Sequence, residues 1–221
     1  MIKLVAFDWN GTIFSDALAC VQSVNEVLKL FMLKPVSLKT FQEHFDVPVS
    51  NTYLGLGILP EQLKKRSEEV VKTFHTNYEI RASGVRTRAY AKELLKWLIE
   101  HKIEAVIFSN HIDEPIKKQL NRLKIQNYFS AVLANSDLNA SLKGRNKKEK
   151  LRDYISLNNF YPNETLVIGD TIEEVEISKE IEAISIAITH GFCSIKRLKA
   201  AKPDYLINNL KQVAEIIKTI R

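Results

Sequence analysis

The sequence predicts an α/β protein, a doubly wound parallel sheet carrying an α-helical insert after its first strand. Three observations predict it. Short apolar runs bounded by polar or glycine-containing turns recur along the chain, as buried parallel strands do. Helix-length amphipathic stretches lie between most of them, the alternation from which doubly wound sheets are built. The gap between the first two runs is too long for one crossover, and it carries helical spacing without a convincing strand.

The strand-like runs are Leu4–Phe7, Ala105–Phe108, Ala131–Ala134, Leu166–Ile168 and Ile184–Ile188, with a weaker one at Tyr205–Ile207. Helical stripes fall at Leu94, Leu95, Leu98 and Ile99, at Ile116, Leu120 and Leu123, and at Leu151, Tyr154 and Ile155. Within the insert, Val21, Val24, Leu28 and Phe31 recur at helical spacing until Pro35 stops the helix. Ser37 is placed to cap a short helix bearing Leu38, Phe41 and Phe45. Pro60 opens a further helix with Leu63, Ser67, Val70, Phe74 and Tyr78 on one face. The stretch Asp46–Leu59, with Pro48, Gly55 and Gly57, reads as a loop or broken helix. Residues 1–15 and 84–221 are assigned to the core and 16–83 to the insert.

Composition narrows the class. With 45% hydrophobic and 26% charged residues, the 221-residue chain has enough apolar surface to offset the entropy of ordering, which argues against disorder. Two distant cysteines, Cys20 and Cys193, exclude a disulfide scaffold and a Cys-rich zinc module and suit a reducing compartment. No apolar run is long enough for a membrane span, and Lys3 is followed by a short apolar run ending at Asp8 rather than by a leader pattern. A cytoplasmic protein, monomer or homodimer, is expected. The net charge of +6 suggests an anionic partner.

Chemistry concentrates at strand ends, where doubly wound folds place ligands. The first strand ends in Asp8-Trp9-Asn10-Gly11-Thr12, the second in Ser109-Asn110 and the fourth in Gly169-Asp170-Thr171. A lysine-rich helix start precedes the fourth strand. Two carboxylates, a hydroxyl and a lysine at neighbouring tips form a constellation for phosphate with Mg²⁺, an ion that needs few protein ligands when phosphate completes its shell.

These four motifs, in this order, resemble the haloacid-dehalogenase (HAD) superfamily, and specifically its phosphoglycolate-phosphatase-like branch with a helical cap. The segments His190-Gly191-Phe192 and Ala201-Lys202-Pro203-Asp204-Tyr205 are similar to that branch as well. The resemblance implies that Asp8 attacks phosphorus to give an aspartyl-phosphate. It implies Mg²⁺ held by Asp8, Asp170 and the main-chain carbonyl of Asn10, with Glu174 at a position where the family more often has aspartate and Glu173 competing for that role. Ser109 would bind a phosphoryl oxygen, and Asn110 would orient the loop or substrate. Thr12 and Thr171 would either touch substrate or serve as turn and cap hydroxyls. The motif lysine, which must screen phosphate and nucleophile from each other, is assigned to Lys147, 23 residues before Asp170, over Lys148, Lys143 and Lys150. Lys148 is retained as a second phosphate contact.

Asn10 departs from the pattern. Family phosphatases usually carry aspartate there, protonating the leaving oxygen and later activating water; an amide cannot exchange that proton. Substrates with good leaving groups, recruitment of His111 (otherwise an ordinary satisfied histidine), or weak turnover would follow. The expected activity is Mg²⁺-dependent removal of phosphate from a small phosphorylated metabolite. Specificity is sought in Asp46–Leu59 with His44, Asn51 and Arg66 as candidates. The alternatives are a HAD-fold binding or regulatory protein with weak turnover and a phosphonate hydrolase using Lys29, Lys34 or Lys39 as a Schiff base. Retention of Asp170 disfavours dehalogenase chemistry, and nucleic-acid binding rests on charge alone. The segment Lys143–Arg152, with six basic residues and one acid, supplies +5 of the net +6, so the basic excess sits beside the expected phosphate site.

Overall fold

A computed structural model describes residues 1–136 and 147–220. Six parallel strands form one sheet: β1 (Leu4–Phe7), β2 (Glu104–Ile112), β3 (Ala131–Asn135), β4 (Thr165–Gly169), β5 (Ile184–Ile188) and β6 (Tyr205–Ile207), in the order β3-β2-β1-β4-β5-β6. β1 pairs with both β2 and β4, so the direction of winding reverses beside it. That switch point opens a crevice at the carboxyl ends of the strands. All six strands are where the sequence places them. β2 runs further than expected, through Ser109-Asn110-His111, with a register shift against β3 between Phe108 and Ile112.

Alternation along buried strands sends successive side chains to opposite faces. Val5 and Phe7 of β1 join one core cluster, and Leu4 and Ala6 join another. The first is covered by helices α6 (Ala91–Glu100), α7 (Asp113–Leu123) and α11 (Lys211–Thr219), the second by α8 (Lys147–Leu157) and α9 (Ile172–Glu180). The remaining core helix, α10 (Ile195–Ala200), packs Leu198 against Val175 and Ala187. Cys20 and Cys193 are buried and unpaired with each other. Among the described residues no helix is long and apolar enough to cross a membrane.

The insert folds as α1 (Ala17–Leu30), α2 (Leu38–His44), α3 (Val49–Gly55), α4 (Pro60–Lys65) and α5 (Ser67–Ala82). Ser37 caps α2 as expected, its Oγ accepting from the Thr40 amide at 3.1 Å. The single helix expected from Pro60 through Tyr78 is two helices. Arg66 leaves helical geometry at φ −113°, ψ 22°, while its guanidinium turns back to the Leu30 carbonyl and to Glu69. The two chain segments joining insert to core run side by side: Ser15 N–H donates to Arg86 O at 3.1 Å and Arg88 N–H to Ile13 O at 2.8 Å. Leu28 of α1 is fully buried in the shared core, whereas Leu18 on the same helix is 62% exposed. Leu28→Ala should cost about 2–5 kcal/mol and Leu18→Ala under about 0.5 kcal/mol, as read by urea unfolding of the two variants.

Candidate active site

Three strand ends and one helix start meet at the crevice. Asp8 follows β1 directly, its amide donating to Ile168 O of β4 at 2.8 Å, and its carboxylate is buried. Lys147 opens α8 and is 1% exposed. Its Nζ donates to Asp8 Oδ1 at 2.6 Å and to Glu174 Oε1, and lies 4.4 Å from the centre of the Phe108 ring. Asp170, at the tip of β4, is fully buried. Its Oδ1 accepts from Thr12 Oγ1 at 2.9 Å and its Oδ2 from the Phe192 amide at 2.5 Å. A backbone cradle holds it. Gly11, at φ +73°, and Gly191 each approach so closely that a Cβ would fall 2.2 Å and 2.1 Å from Asp170 Oδ2.

The electrostatics follow from burying three acids around one base. Burial pushes the Asp8 carboxyl well up, Lys147 opposes, and Glu174 and Asp170 add to the rise. Burial and Glu174 push Asp170 up to about 7. Glu174 goes the other way: burial raises it, but Lys147 and the Thr171 hydrogen bonds outweigh burial. Burial disfavours the Lys147 ammonium, yet Asp8, Glu174 and Glu173 overcome it and hold the proton firmly.

Several expected site residues take other work. Glu174, expected as a metal ligand, has both oxygens engaged: Oε1 by Lys147, Oε2 by the Thr171 amide at 3.0 Å and hydroxyl at 2.6 Å. It closes the capping box of α9 and braces the lysine. Thr12 is buried and grips Asp170 rather than facing substrate. Lys148, expected on phosphate, reaches outward to Glu180 at 2.6 Å because it follows Lys147 on the helix and so points to another face. Lys150 binds Ala134 O and Asn135 Oδ1, and Lys143 lies outside the described residues. Ser109 lines the cavity and accepts from the His111 amide at 3.1 Å. Asn110 lines it too; its Nδ2 donates to Glu173 at 2.6 Å, and its buried Oδ1 has no hydrogen-bond partner among the described residues.

Asn10 is tied down by a cluster that the sequence did not reveal. Its Nδ2 donates to Asp16 Oδ2 and to Tyr78 Oη, each at 2.7 Å, so both N–H bonds are used. Tyr78 donates to Asp16 Oδ2 at 2.5 Å, and the Gly11 amide donates to Asp16 Oδ1 at 2.7 Å. Arg88, also missed, ties the loop from outside by donating to Gly11 O, Thr12 O and Thr189 O. Asp16 precedes α1 like an ordinary cap, yet its side chain makes no cap bond and turns back into the loop. His111 lies near Tyr78 and His75, and burial, with His75, pushes it down to about 3. It is neutral and a feeble base.

A cavity of about 130 Å³ opens over the cluster, lined by Asp8, Asn10, Ser109 and Lys147 below and by insert side chains above. The expected segment Asp46–Leu59 reaches the cavity through Val47, Val49 and Tyr53, but the expected side chains His44, Asn51 and Arg66 are not among its lining residues. His44 Nδ1 bonds Thr40 O, Asn51 donates to Asp46, and Arg66 pairs with Glu69. Lys29, Lys34 and Lys39 do not line it either, so none of them is placed there to form the Schiff base that phosphonate chemistry would need.

A family model for haloacid dehalogenase-like hydrolases matches residues 5–188. The chain belongs to the haloacid dehalogenase-like hydrolase family. Among its relatives are phosphoglycolate phosphatases of Synechococcus elongatus, 24% identical over 98% of this chain and 97% of that one, and of Vibrio vulnificus, 22% identical over 98% and 96%. A haloacid dehalogenase-like hydrolase of Streptococcus pneumoniae has the same fold, with a TM-score of 0.82 at 16% identity, covering 98% of both chains.

Among the described residues no three His, Cys, Asp or Glu side chains form a ready metal cage. Asp8 and Asp170 nonetheless suit a Mg²⁺ ion, which takes one or two carboxylates and fills its shell with water and substrate oxygens. Two carboxyls driven upward by burial, with neighbouring acids adding to the rise, are a donor set that such an ion would relieve. A folded-state pKa above the unfolded value means the native state holds the extra proton, so that contribution is full at low pH and is lost as pH rises toward 7. In chelator the melting temperature of the wild type should therefore fall, relative to Asp170→Asn, from about pH 4 to about pH 7. Added Mg²⁺ should remove the fall.

Proposed function

We propose that this chain is a Mg²⁺-dependent phosphohydrolase that frees phosphate from a small phosphorylated metabolite, in the manner of a phosphoglycolate phosphatase, with Asp8 as nucleophile. The observation that carries the reading is the Lys147 ammonium on Asp8 Oδ1 beside the buried Asp170. A carboxylate and a phosphate dianion repel, and an ammonium fixed between them in a dry site is worth far more than in water. We further place the enzyme in the cytoplasm, as a monomer or homodimer, without a membrane or nucleic-acid partner.

Asp8 attacks phosphorus; the new Oδ–P bond forms as the ester P–O bond breaks and its electron pair leaves on the departing oxygen. Ser109 Oγ and the Lys147 ammonium hold the phosphoryl oxygens. The insert excludes bulk water. A water then attacks phosphorus, and the P–Oδ pair returns to Asp8 as carboxylate. Mg²⁺ held by Asp8, Asp170 and the Asn10 carbonyl would supply the remaining positive charge on the phosphoryl oxygens. Thr12, Gly11 and Gly191 keep Asp170 in place for it. The step without a provider is proton transfer, since Asn10 has no exchangeable proton and His111 stays neutral.

A second reading, a binding or regulatory protein with weak turnover, draws on that same occupied Asn10 amide. Asp8→Asn should abolish hydrolysis of an aryl phosphate, and Lys147→Ala should lower kcat/KM by about 10²–10³-fold. Asn10→Asp should raise kcat on an alkyl phosphate by about 10²–10⁴-fold. Steady-state assays with Mg²⁺ check all three. Turnover in Asp8→Asn equal to wild type would end the phosphohydrolase reading, and an unmoved Asn10→Asp would show that the proton takes another route.

A further inference from the structure

The cavity walls say what the phosphate is attached to. Above Asp8, α1 contributes Val24, α2 contributes Phe41, and α5 contributes Val70, Phe74 and Tyr78. Phe74 and Tyr78 stack face to face, 5.4 Å apart at 10°. A second aromatic wall is Phe41, Phe45 and Phe192, whose ring centres lie 5.0 to 5.7 Å from one another. Among the described lining residues Lys147 is the only lysine or arginine, and it is committed to Asp8 and Glu174. Arg197 lines a neighbouring cavity and donates to the carbonyls of Gln42 and Phe45, and Arg88 behind the floor donates to the carbonyls of Gly11, Thr12 and Thr189. The remaining charged groups lining the cavity are acids, Asp16 and Glu173 included.

A substrate with a second negative charge would have to bury it against apolar rings and carboxylates, with no lysine or arginine besides Lys147 among the described lining residues to pair it, an arrangement that strongly disfavours binding. An uncharged ring loses nothing there. A cavity of about 150 Å³ lined by Leu, Ile and Phe takes up benzene; the about 130 Å³ here also spans the polar floor at Asp8, Ser109 and Lys147, so its apolar part suits one ring at most. The floor agrees independently. With both Asn10 N–H bonds spent on Asp16 and Tyr78, nothing at that position can donate to a departing oxygen. A phenol-like oxygen, with a pKa near that of tyrosine at about 10, leaves without a proton far more readily than an aliphatic alkoxide.

We propose that the substrate is the phosphate monoester of a single-ring, uncharged phenol-like alcohol, and that phosphoglycolate and other carboxylate-bearing phosphates are excluded. This rests on the phosphohydrolase reading and specifies its substrate class. Asp8 displaces the phenolate, which takes the P–O electron pair and is protonated by solvent after release. The ring sits against Phe74, Tyr78 and Phe41.

Two measurements on the whole chain test it. Initial rates with Mg²⁺ should give phenyl phosphate a kcat/KM at least about 100-fold above phosphoglycolate, a margin set by an unpaired buried charge. Calorimetry with Mg²⁺ should show phenylphosphonate binding at least about tenfold tighter than phosphonoacetate, without any need for turnover. Phe74→Arg, at a half-buried position, should reverse both preferences; Phe74→Leu should keep their direction and weaken phenyl phosphate. Preference for phosphoglycolate in the wild type overturns the inference while leaving a phosphatase. Selective phenylphosphonate binding without hydrolysis upholds the pocket and overturns the phosphatase. Equal binding of the two phosphonates overturns the inference whatever the rates.

Discussion

Everything at this site answers to one electrostatic problem: Asp8, Asp170 and Glu174 are buried together with a single ammonium among them. Lys147 is the piece on which the rest depends. It bridges Asp8 and Glu174 with its ammonium over the Phe108 ring, so it fixes the Asp8 carboxylate and brings the start of α8 against the tip of β1. Removing it would leave acids that the surrounding apolar packing cannot solvate, a much larger penalty than the pair's own net worth. The same unbalanced charge is what the proposed divalent cation would offset, with a phosphate then completing its shell.

The fold meets that problem by geometry rather than by side-chain reach. Parallel order about β1 brings the ends of β1, β2 and β4 to one crevice, so residues far apart in sequence converge without long extended side chains. Rigidity then comes from the second layer. Thr12 and the Phe192 amide grip Asp170, Thr171 aligns Glu174, and Arg88 and Asp16 hold the Gly11 loop from opposite sides. Tyr78 matters twice over: it anchors α5 to the catalytic loop through Asp16 and also walls the cavity. Position of the insert and state of the loop are thereby linked through one buried hydrogen-bond network.

What was legible in the sequence was what strand periodicity and motif order expose. Asp8, Ser109, Lys147 and Asp170 sit at strand ends or a helix start, where local pattern predicts placement, and the structure brings all four together. For Glu174, spacing shows where a carboxylate is and not that Lys147 and Thr171 engage its oxygens. Lys148 differs from Lys147 by one step along a helix, and one step turns a side chain by about 100°. Asp16 looks like a helix cap, and Arg88 lies in a connecting segment with no period, so their tertiary bonds leave no local signal. The cavity wall was visible only as helical stripes at Val24, Val70, Phe74 and Tyr78, and a stripe reads as core whether it faces packing or an open pocket. The break at Arg66 is likewise tertiary, drawn by the Leu30 carbonyl.

Asn10 ties the proposed mechanism to structure: if Asp8 takes the phosphoryl group, a site without a resident base to activate water should hold that adduct. The most direct test is to mix the protein with phenyl phosphate and Mg²⁺, quench in acid within one turnover, and map the phosphoryl group by mass spectrometry of the digested chain. The account predicts a phosphoryl group on Asp8, abundant in the wild type and sharply reduced in Asn10→Asp, where water is activated again. Hydrolysis proceeding with Asp8 unmodified, or with the phosphoryl group on another residue, would contradict it.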